Sequence, residues 1–84
     1  MAKPSERTVM FDRIEGTDDI EDKTYSGYTI KKMTVSNDSL VDMVLSFSGV
    51  DRTIKANEIW YGDVEITKFS LDANSGAYRI DIEV

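Results

Sequence analysis

Apolar and charged side chains alternate without a break in the stretch Tyr78-Arg79-Ile80-Asp81-Ile82-Glu83-Val84. Successive side chains of a β-strand point to opposite faces, so this spacing puts every apolar residue of the stretch on one face. Such a strand buries that face against a core and leaves the charged face in water. The pattern recurs in Val41–Phe47, where Val44 alone is out of phase. Both stretches are therefore predicted to be strands with one buried face.

Composition extends this prediction to the whole chain. Isoleucine, valine and threonine occur 8, 7 and 7 times, against 3 leucines and 4 alanines. Branching at Cβ favours strands over helices, because such side chains pack well on a pleated surface. Turn-forming segments such as Ser36–Ser39 and Asp72–Gly76 recur about every ten residues. The sequence therefore predicts an all-β fold, a single small antiparallel β-sandwich or barrel of about six to seven short strands.

Other strands are predicted with a change of phase or with less length. Thr24–Ser36 changes phase at Lys31-Lys32, which indicates a bulge. Val64–Leu71 changes phase at Thr67-Lys68, which indicates a second bulge or a bend between two sheets. Thr8–Ile14 and Arg52–Ile54 are weaker strand candidates.

The length of the chain limits the number of domains, and its net charge limits the classes of binding partner. The 84 residues have room for one core, so we expect one domain over residues 1–84, with residues 1–6 a flexible N-terminal tail. The net charge of -6 repels nucleic acid and anionic membranes. No apolar run is long enough for a membrane helix, and the opening MAKPSERT lacks the apolar stretch of a signal peptide. We therefore expect no nucleic-acid or membrane partner, and a chain that is cytoplasmic when synthesised.

The sequence contains few of the residue types that enzymes use for catalysis. The chain has 0 cysteines and 0 histidines, which removes disulfides, thiolate nucleophiles, imidazole bases and the usual zinc, copper and haem ligands. Pairs such as Asp81 and Glu83 share one strand face, but alternating acids are typical of solvent-facing strands. No serine stands beside a base in a known motif, and no glycine-rich phosphate loop is present. We expect a non-enzymatic protein with no catalytic residue, no metal and no cofactor.

The acidic excess is concentrated in the segment from Asp12 to Asp22. Its six acids against Arg13 give a net charge of -5, which leaves the rest of the chain nearly neutral. A solvated loop is the simplest interpretation, and the alternatives are a cation site and a surface for a basic partner. The spacing does not match an EF-hand calcium loop. The binding candidates in this segment are Asp18, Asp19, Glu21 and Asp22.

Aromatic residues supply the other candidates. Trp60 and Tyr61 are consecutive, so on a strand they point to opposite faces and one ring is expected to be exposed. An exposed ring at this position is suited to stacking on a sugar, a peptide or another subunit. The alternative is that Trp60 fills the core and Tyr61 lies along a rim. Tyr28, beside Gly27, is a further candidate for the same surface.

The order of segments from Ile30 to Ile80 resembles small β-sandwich proteins and domains of tailed-phage virions. The resemblance rests on a Ser-Asn-Asp turn, the stretch VDMVLSFSG, the crossing RTIKANEIWYGD, the stretch VEITKFSLDANSG and a closing AYRIDI strand. It covers strand and turn chemistry and no functional residue. It implies a structural or attachment component of a phage or prophage particle, present in many copies.

The leading hypothesis is therefore a non-enzymatic structural or assembly protein of a virion that acts through protein-protein contacts, including contacts between copies of itself. One alternative is a carbohydrate- or peptide-binding β-sandwich module that uses exposed aromatics around Trp60. The other is an acidic inhibitor that presents its carboxylates to a nucleic-acid enzyme.

Overall fold

The computed structural model describes residues 10–84, and the regular secondary structure of this part consists of β-strands alone. The strands are β1 (Phe11–Gly16), β2 (Ile20–Thr24), β3 (Ile30–Asn37), β4 (Met43–Phe47), β5 (Val50–Ile54), β6 (Ile59–Ile66), β7 (Lys68–Asp72) and β8 (Tyr78–Glu83). The all-β prediction is confirmed. No helix long and apolar enough to cross a membrane occurs between residues 10 and 84.

These strands form two antiparallel sheets of four strands each, as in a β-sandwich. Sheet A has the order β1-β8-β3-β6, and sheet B has the order β2-β7-β4-β5. A short loop joins the edge strands β1 and β2, and another joins the edge strands β5 and β6. The acidic segment therefore covers most of β1 and the start of β2, at an edge of each sheet, and β6 lies at the opposite edge of sheet A.

The core lies between the two sheets and is built by the alternating residues of both. In β8, Tyr78, Ile80 and Ile82 are buried while Arg79 and Asp81 are exposed, as the sequence predicts. The buried apolar side chains of the remaining strands and loops are Ile30, Met33, Val35, Met43, Leu45, Phe47, Ile54, Ile66, Phe69, Leu71, Ala73 and Val84. Burial of this set is the main driving force for folding.

One buried polar residue, Asn37, joins the ends of several strands. The two N–H bonds of its Nδ2 atom are shared among the carbonyl oxygens of Val41, Ile54 and Lys55, at 2.7, 3.0 and 3.0 Å. Its Oδ1 atom accepts from the backbone N–H and the hydroxyl of Ser39 at 3.0 and 2.6 Å. Asn37 thus satisfies backbone groups that would otherwise lie unpaired at the end of the sandwich.

The predicted count of six to seven strands is wrong, because the described residues contain eight. The additional strand is β2, which lies in the segment interpreted as a solvated loop. It pairs with β7 at the edge of sheet B, with Ile20 opposite Leu71 and Lys23 opposite Phe69. An edge strand that contributes one apolar side chain gives no alternating signal, so the sequence pattern did not reveal it.

Both predicted phase changes correspond to features of the fold. The register between β3 and β6 shifts between Ile30 and Lys32, and β6 supplies the extra residue, with Glu65 at φ 50°. At Thr67 the chain passes from β6 in sheet A to β7 in sheet B, which is the predicted bend between sheets. The predicted strand from Thr24 begins later, at Ile30, after a turn in which the Tyr28 N–H donates to the Tyr25 carbonyl. The predicted tail, residues 1–6, lies outside the described residues.

Candidate functional site

The outer face of sheet A is built from cross-strand rows that run from β1 to β6. Side chains that face water on one strand stand beside those of the next strand, so each row is a continuous strip of surface. The three rows are Phe11-Glu83-Lys32-Asp63, Arg13-Asp81-Thr34-Tyr61 and Glu15-Arg79-Ser36-Ile59, and Ser36 is the one buried member. The middle of this face is charged and hydroxylic, and its two edges carry apolar side chains.

Two ion pairs hold the charged part of this face in place. The Arg13 guanidinium donates to both carboxylate oxygens of Asp81, at 2.7 and 3.2 Å. Arg79 donates in the same bidentate way to Asp38, at 2.7 and 3.1 Å. These hydrogen bonds from arginine lower the pKa of both aspartates below the ordinary value, although burial opposes the shift. The carboxylates of Asp38 and Asp81 are therefore paired with arginines of β8 and β1.

A groove of about 290 Å³ crosses the same face, and an exposed ring stands at each side of it. Phe11 on β1 is 75% exposed, and Tyr61 on β6 is 60% exposed. Thr34 and Lys32 of β3 and Asp81 and Glu83 of β8 lie between them. Two accessible rings are combined here with hydroxyl, ammonium and carboxylate groups. Such a surface has ring faces on which a ligand can stack and polar groups to which it can hydrogen-bond.

The edge of this face along β6 is the second accessible feature. Ile59 is 65% exposed and shares the outward phase of Tyr61, so two large apolar side chains stand side by side on an edge strand. Within residues 10–84, β3 is the one strand that pairs with β6. The other long side of β6 therefore presents backbone N–H and C=O groups that no described strand engages.

Trp60 and Tyr61 have opposite orientations, as predicted, and Tyr61 is the exposed residue. The Trp60 ring packs against Phe47, with ring centroids 5.8 Å apart. The Arg52 guanidinium lies 4.0 Å from the centroid of Phe47 and 6.0 Å from that of Trp60. Because Trp60 is half-buried in this cluster, the residue that lines the groove is Tyr61.

Three of the four candidate acids in the segment from Asp12 to Asp22 contact other parts of the fold. The Asp19 carboxylate accepts from the Ala73 N–H at 2.9 Å, and the Asp18 carbonyl accepts from the Tyr78 hydroxyl at 2.6 Å. The Asp22 carboxylate lies 3.9 Å from the Lys68 Nζ atom. Glu21 is exposed on β2. The structure thus places these acids around the loop from β1 to β2 and along β2, away from the groove.

A hydrogen bond also links the acidic segment to the loop that follows β2. The Tyr25 hydroxyl donates to the Asp12 carboxylate. Partial burial of the ring and this carboxylate raise the pKa of Tyr25 above its ordinary value. Asp12 is therefore another acid of the segment whose carboxylate has a partner within the fold.

The sequence pattern identified Tyr61 on one side of the groove but not Phe11 on the other side. Tyr61 was a candidate, whereas Phe11 and Ile59 were not. Both share the outward phase of charged or polar residues, Phe11 with Arg13 and Ile59 with Tyr61, and an apolar residue in a polar phase is the signal that identifies them. Tyr28 is 38% exposed but lies in the loop before β3 and does not line the groove.

Between residues 10 and 84 no cluster of three or more acidic, cysteine or histidine side chains is arranged to hold a metal ion. Two carboxylates, those of Asp81 and Glu83, line the groove, and Asp81 forms an ion pair with Arg13. The face presents exposed rings, hydrogen-bonding groups and a strand edge that no described strand pairs with. Comparison of the chain with protein-family models, curated proteins and solved structures found no match.

Proposed function

We propose that this chain is a non-enzymatic assembly protein that binds a protein partner by strand addition along the edge of β6. The observation that carries the proposal is the first half of β6, Ile59–Gly62, which is uncharged, apolar on its outer face and unpaired on one side within the described residues. An open edge of this kind is a template for a strand of another chain.

Comparison of the four edge strands supports the choice of β6. Proteins protect their edges with charged side chains and bulges that discourage pairing. β1 carries Asp12, Arg13 and Glu15, β2 carries Glu21, Asp22 and Lys23, and β5 carries Asp51 and Arg52. In β6 the protective features, Asp63 and the irregularity at Glu65, occupy the second half of the strand. The first half has neither.

The setting we propose is a phage or prophage particle. Its support is the resemblance of the strand and turn order between Ile30 and Ile80 to small virion β-sandwich proteins. Assembly of many copies or of several components requires surfaces that pair repeatedly, and an open sheet edge supplies such a surface.

Photocross-linking in the native cells tests this function. A photoreactive phenylalanine derivative replaces Tyr61 in one variant and Val50, on the edge of the other sheet, in the control. We expect covalent products at position 61 that mass spectrometry identifies as a defined protein, and few at position 50. Equal labelling of many unrelated proteins at both positions, or no product at position 61, would contradict the proposal.

The groove favours a second candidate, a carbohydrate- or peptide-binding module. Phe11 and Tyr61 provide ring faces on which a sugar or a peptide side chain stacks, and Lys32 and Glu83 provide hydrogen-bonding groups. Titration of oligosaccharides and peptides, followed by NMR chemical shifts, tests it. Saturable shifts confined to the groove, abolished by Phe11→Ala and unaffected by Val50→Ala, would establish this function instead.

A further inference from the structure

The backbone hydrogen-bond pattern shows which residues of β6 face the open edge. The Asn37 N–H donates to the Glu58 carbonyl, and antiparallel pairs alternate between bonded and non-bonded positions. From this pair, Trp60 and Gly62 direct their backbone groups toward β3, opposite Val35 and Met33. Ile59, Tyr61 and Asp63 then direct theirs away from the sheet. A strand that pairs with this edge would therefore bond to the residues whose side chains lie on the outer face.

The charge distribution favours an identical chain as the partner. The segment from Asp12 to Asp22 holds -5 of the net charge of -6, and it includes β1, at the opposite edge of sheet A from β6. Two copies that meet along β6 keep these acidic segments at the two far ends of the joined sheet. Their mutual repulsion is then weakened by distance and by salt.

The side chains of β6 select one register among the symmetric antiparallel pairings. With the two-fold axis at Trp60, Ile59 of each copy stands opposite Tyr61 of the other. With the axis at Tyr61 or Gly62, an apolar side chain stands opposite Asp63, and with the axis at Asp63, two carboxylates face each other. With the axis at Ile59, Tyr61 stands opposite Asn57, which precedes the strand and has a φ of 61°. Apolar cross-strand pairs stabilise a sheet, and like charges directly opposite destabilise it. The axis at Trp60 is therefore the favoured position.

From these steps we propose that the β6 partner is a second copy of this chain, paired antiparallel about a two-fold axis at Trp60. The inference rests on the proposed strand addition and names its partner. The axis stands perpendicular to the sheet, so the two A sheets form one continuous eight-stranded sheet. Ile59 and Tyr61 of both copies form an apolar cluster on its outer face.

Cysteine pairing tests the register, and the 0 cysteines of the chain make it free of background. Residues in a bonded antiparallel pair have Cα atoms about 5.5 Å apart, which suits a disulfide. A mixture of Ile59→Cys and Tyr61→Cys chains is therefore expected to form a disulfide-linked dimer on oxidation. Each variant alone is expected to form little, since its diagonal Cα distance exceeds about 7 Å.

Light scattering of the unmodified chain supplies a second measurement that needs no cysteine. We expect twice the chain mass at high concentration, conversion to the monomer by Tyr61→Lys, and no change with Val50→Lys. Dimers formed by Tyr61→Cys alone would overturn the register. A monomer at all concentrations would overturn self-pairing, and cross-linking of Tyr61 to a different protein would then leave strand addition standing.

Discussion

The indole ring of Trp60 lies directly over Gly62, two residues along the same strand. A Cβ atom added at Gly62 would stand 2.6 Å from Cη2 of Trp60 and 2.9 Å from Cζ2. Such distances are shorter than van der Waals contact, so the ring occupies this place because position 62 has no side chain. The absence of a Cβ at Gly62 therefore leaves the space that the Trp60 ring fills as it packs against Phe47 and Arg52.

Gly62→Ala is expected to destabilise the protein by about 1 to 3 kcal/mol, because the ring must leave its position or the strand must shift. Urea unfolding measures the loss, and the emission of the single tryptophan reports any movement of the ring. Gly16→Ala is the matched control, since its Cβ would meet the Tyr78 hydroxyl at an ordinary 3.5 Å. Equal stability changes in the two variants would show that the Trp60 contact has no role.

Asn37→Asp tests the buried polar connection at the end of the sandwich. The change replaces a donor to three carbonyl oxygens by a carboxylate oxygen, at a residue that is 1% exposed. We expect a loss of about 2 to 4 kcal/mol at pH 7, because the carboxylate is buried beside other oxygens. Exposed Asn57→Asp is the control and should unfold almost as the parent does in urea. If both variants unfold at the same urea concentration, the connection is not stabilising.

The pKa values of Asp38 and Asp81, lowered by Arg79 and Arg13, predict a dependence of stability on acid pH. A carboxyl group whose pKa is lower in the folded than in the unfolded chain contributes stability above the unfolded pKa. That contribution disappears as the pH falls through the folded pKa, so the relevant window lies below about pH 4.

The experiment compares the unfolding free energy of the parent and of Asp38→Asn/Asp81→Asn between pH 2 and pH 6, as approximate limits around the ordinary aspartate pKa. The double variant is expected to show a flatter decline than the parent in the acid part of this range. Asp42→Asn, an exposed residue outside both ion pairs, is the control. Parallel curves for parent and double variant would count against the ion pairs as the source.

Alternation within strands made the central strands of this fold predictable from the sequence. The edge strands and the groove depend on pairing between distant segments, which local alternation does not show. The alternation in Tyr78–Val84 predicts its buried face, because this strand lies between two others and contacts the core along its whole length. β2 shows no such alternation, because Ile20 is the one apolar residue of a charged strand. The groove wall Phe11 depends on β1 pairing with β8, far away in sequence, and local patterns carry no information on that pairing.

The raised pKa values of Tyr25 and Tyr78 predict a loss of stability at alkaline pH. Burial is the first cause for both, and nearby carboxylates add to it, Asp12 for Tyr25 and Asp18 for Tyr78. A group whose pKa is higher in the folded chain contributes stability that is complete below the unfolded pKa, about 10 for tyrosine. This stability is lost as the pH rises through the folded pKa.

Ultraviolet absorbance of tyrosinate, recorded as the pH is raised from about 9, measures this directly, since the unfolded tyrosine pKa is about 10. Tyr25→Phe and Tyr78→Phe should each remove a late-ionising component of the titration. Circular dichroism in parallel should show that unfolding of the parent begins where that component ionises. Tyr61→Phe, at an exposed ring, is the control for loss of one tyrosine. If the amplitude of the late component in Tyr25→Phe or in Tyr78→Phe equals that of the parent, the tyrosine that was replaced does not ionise late and the prediction for it is wrong.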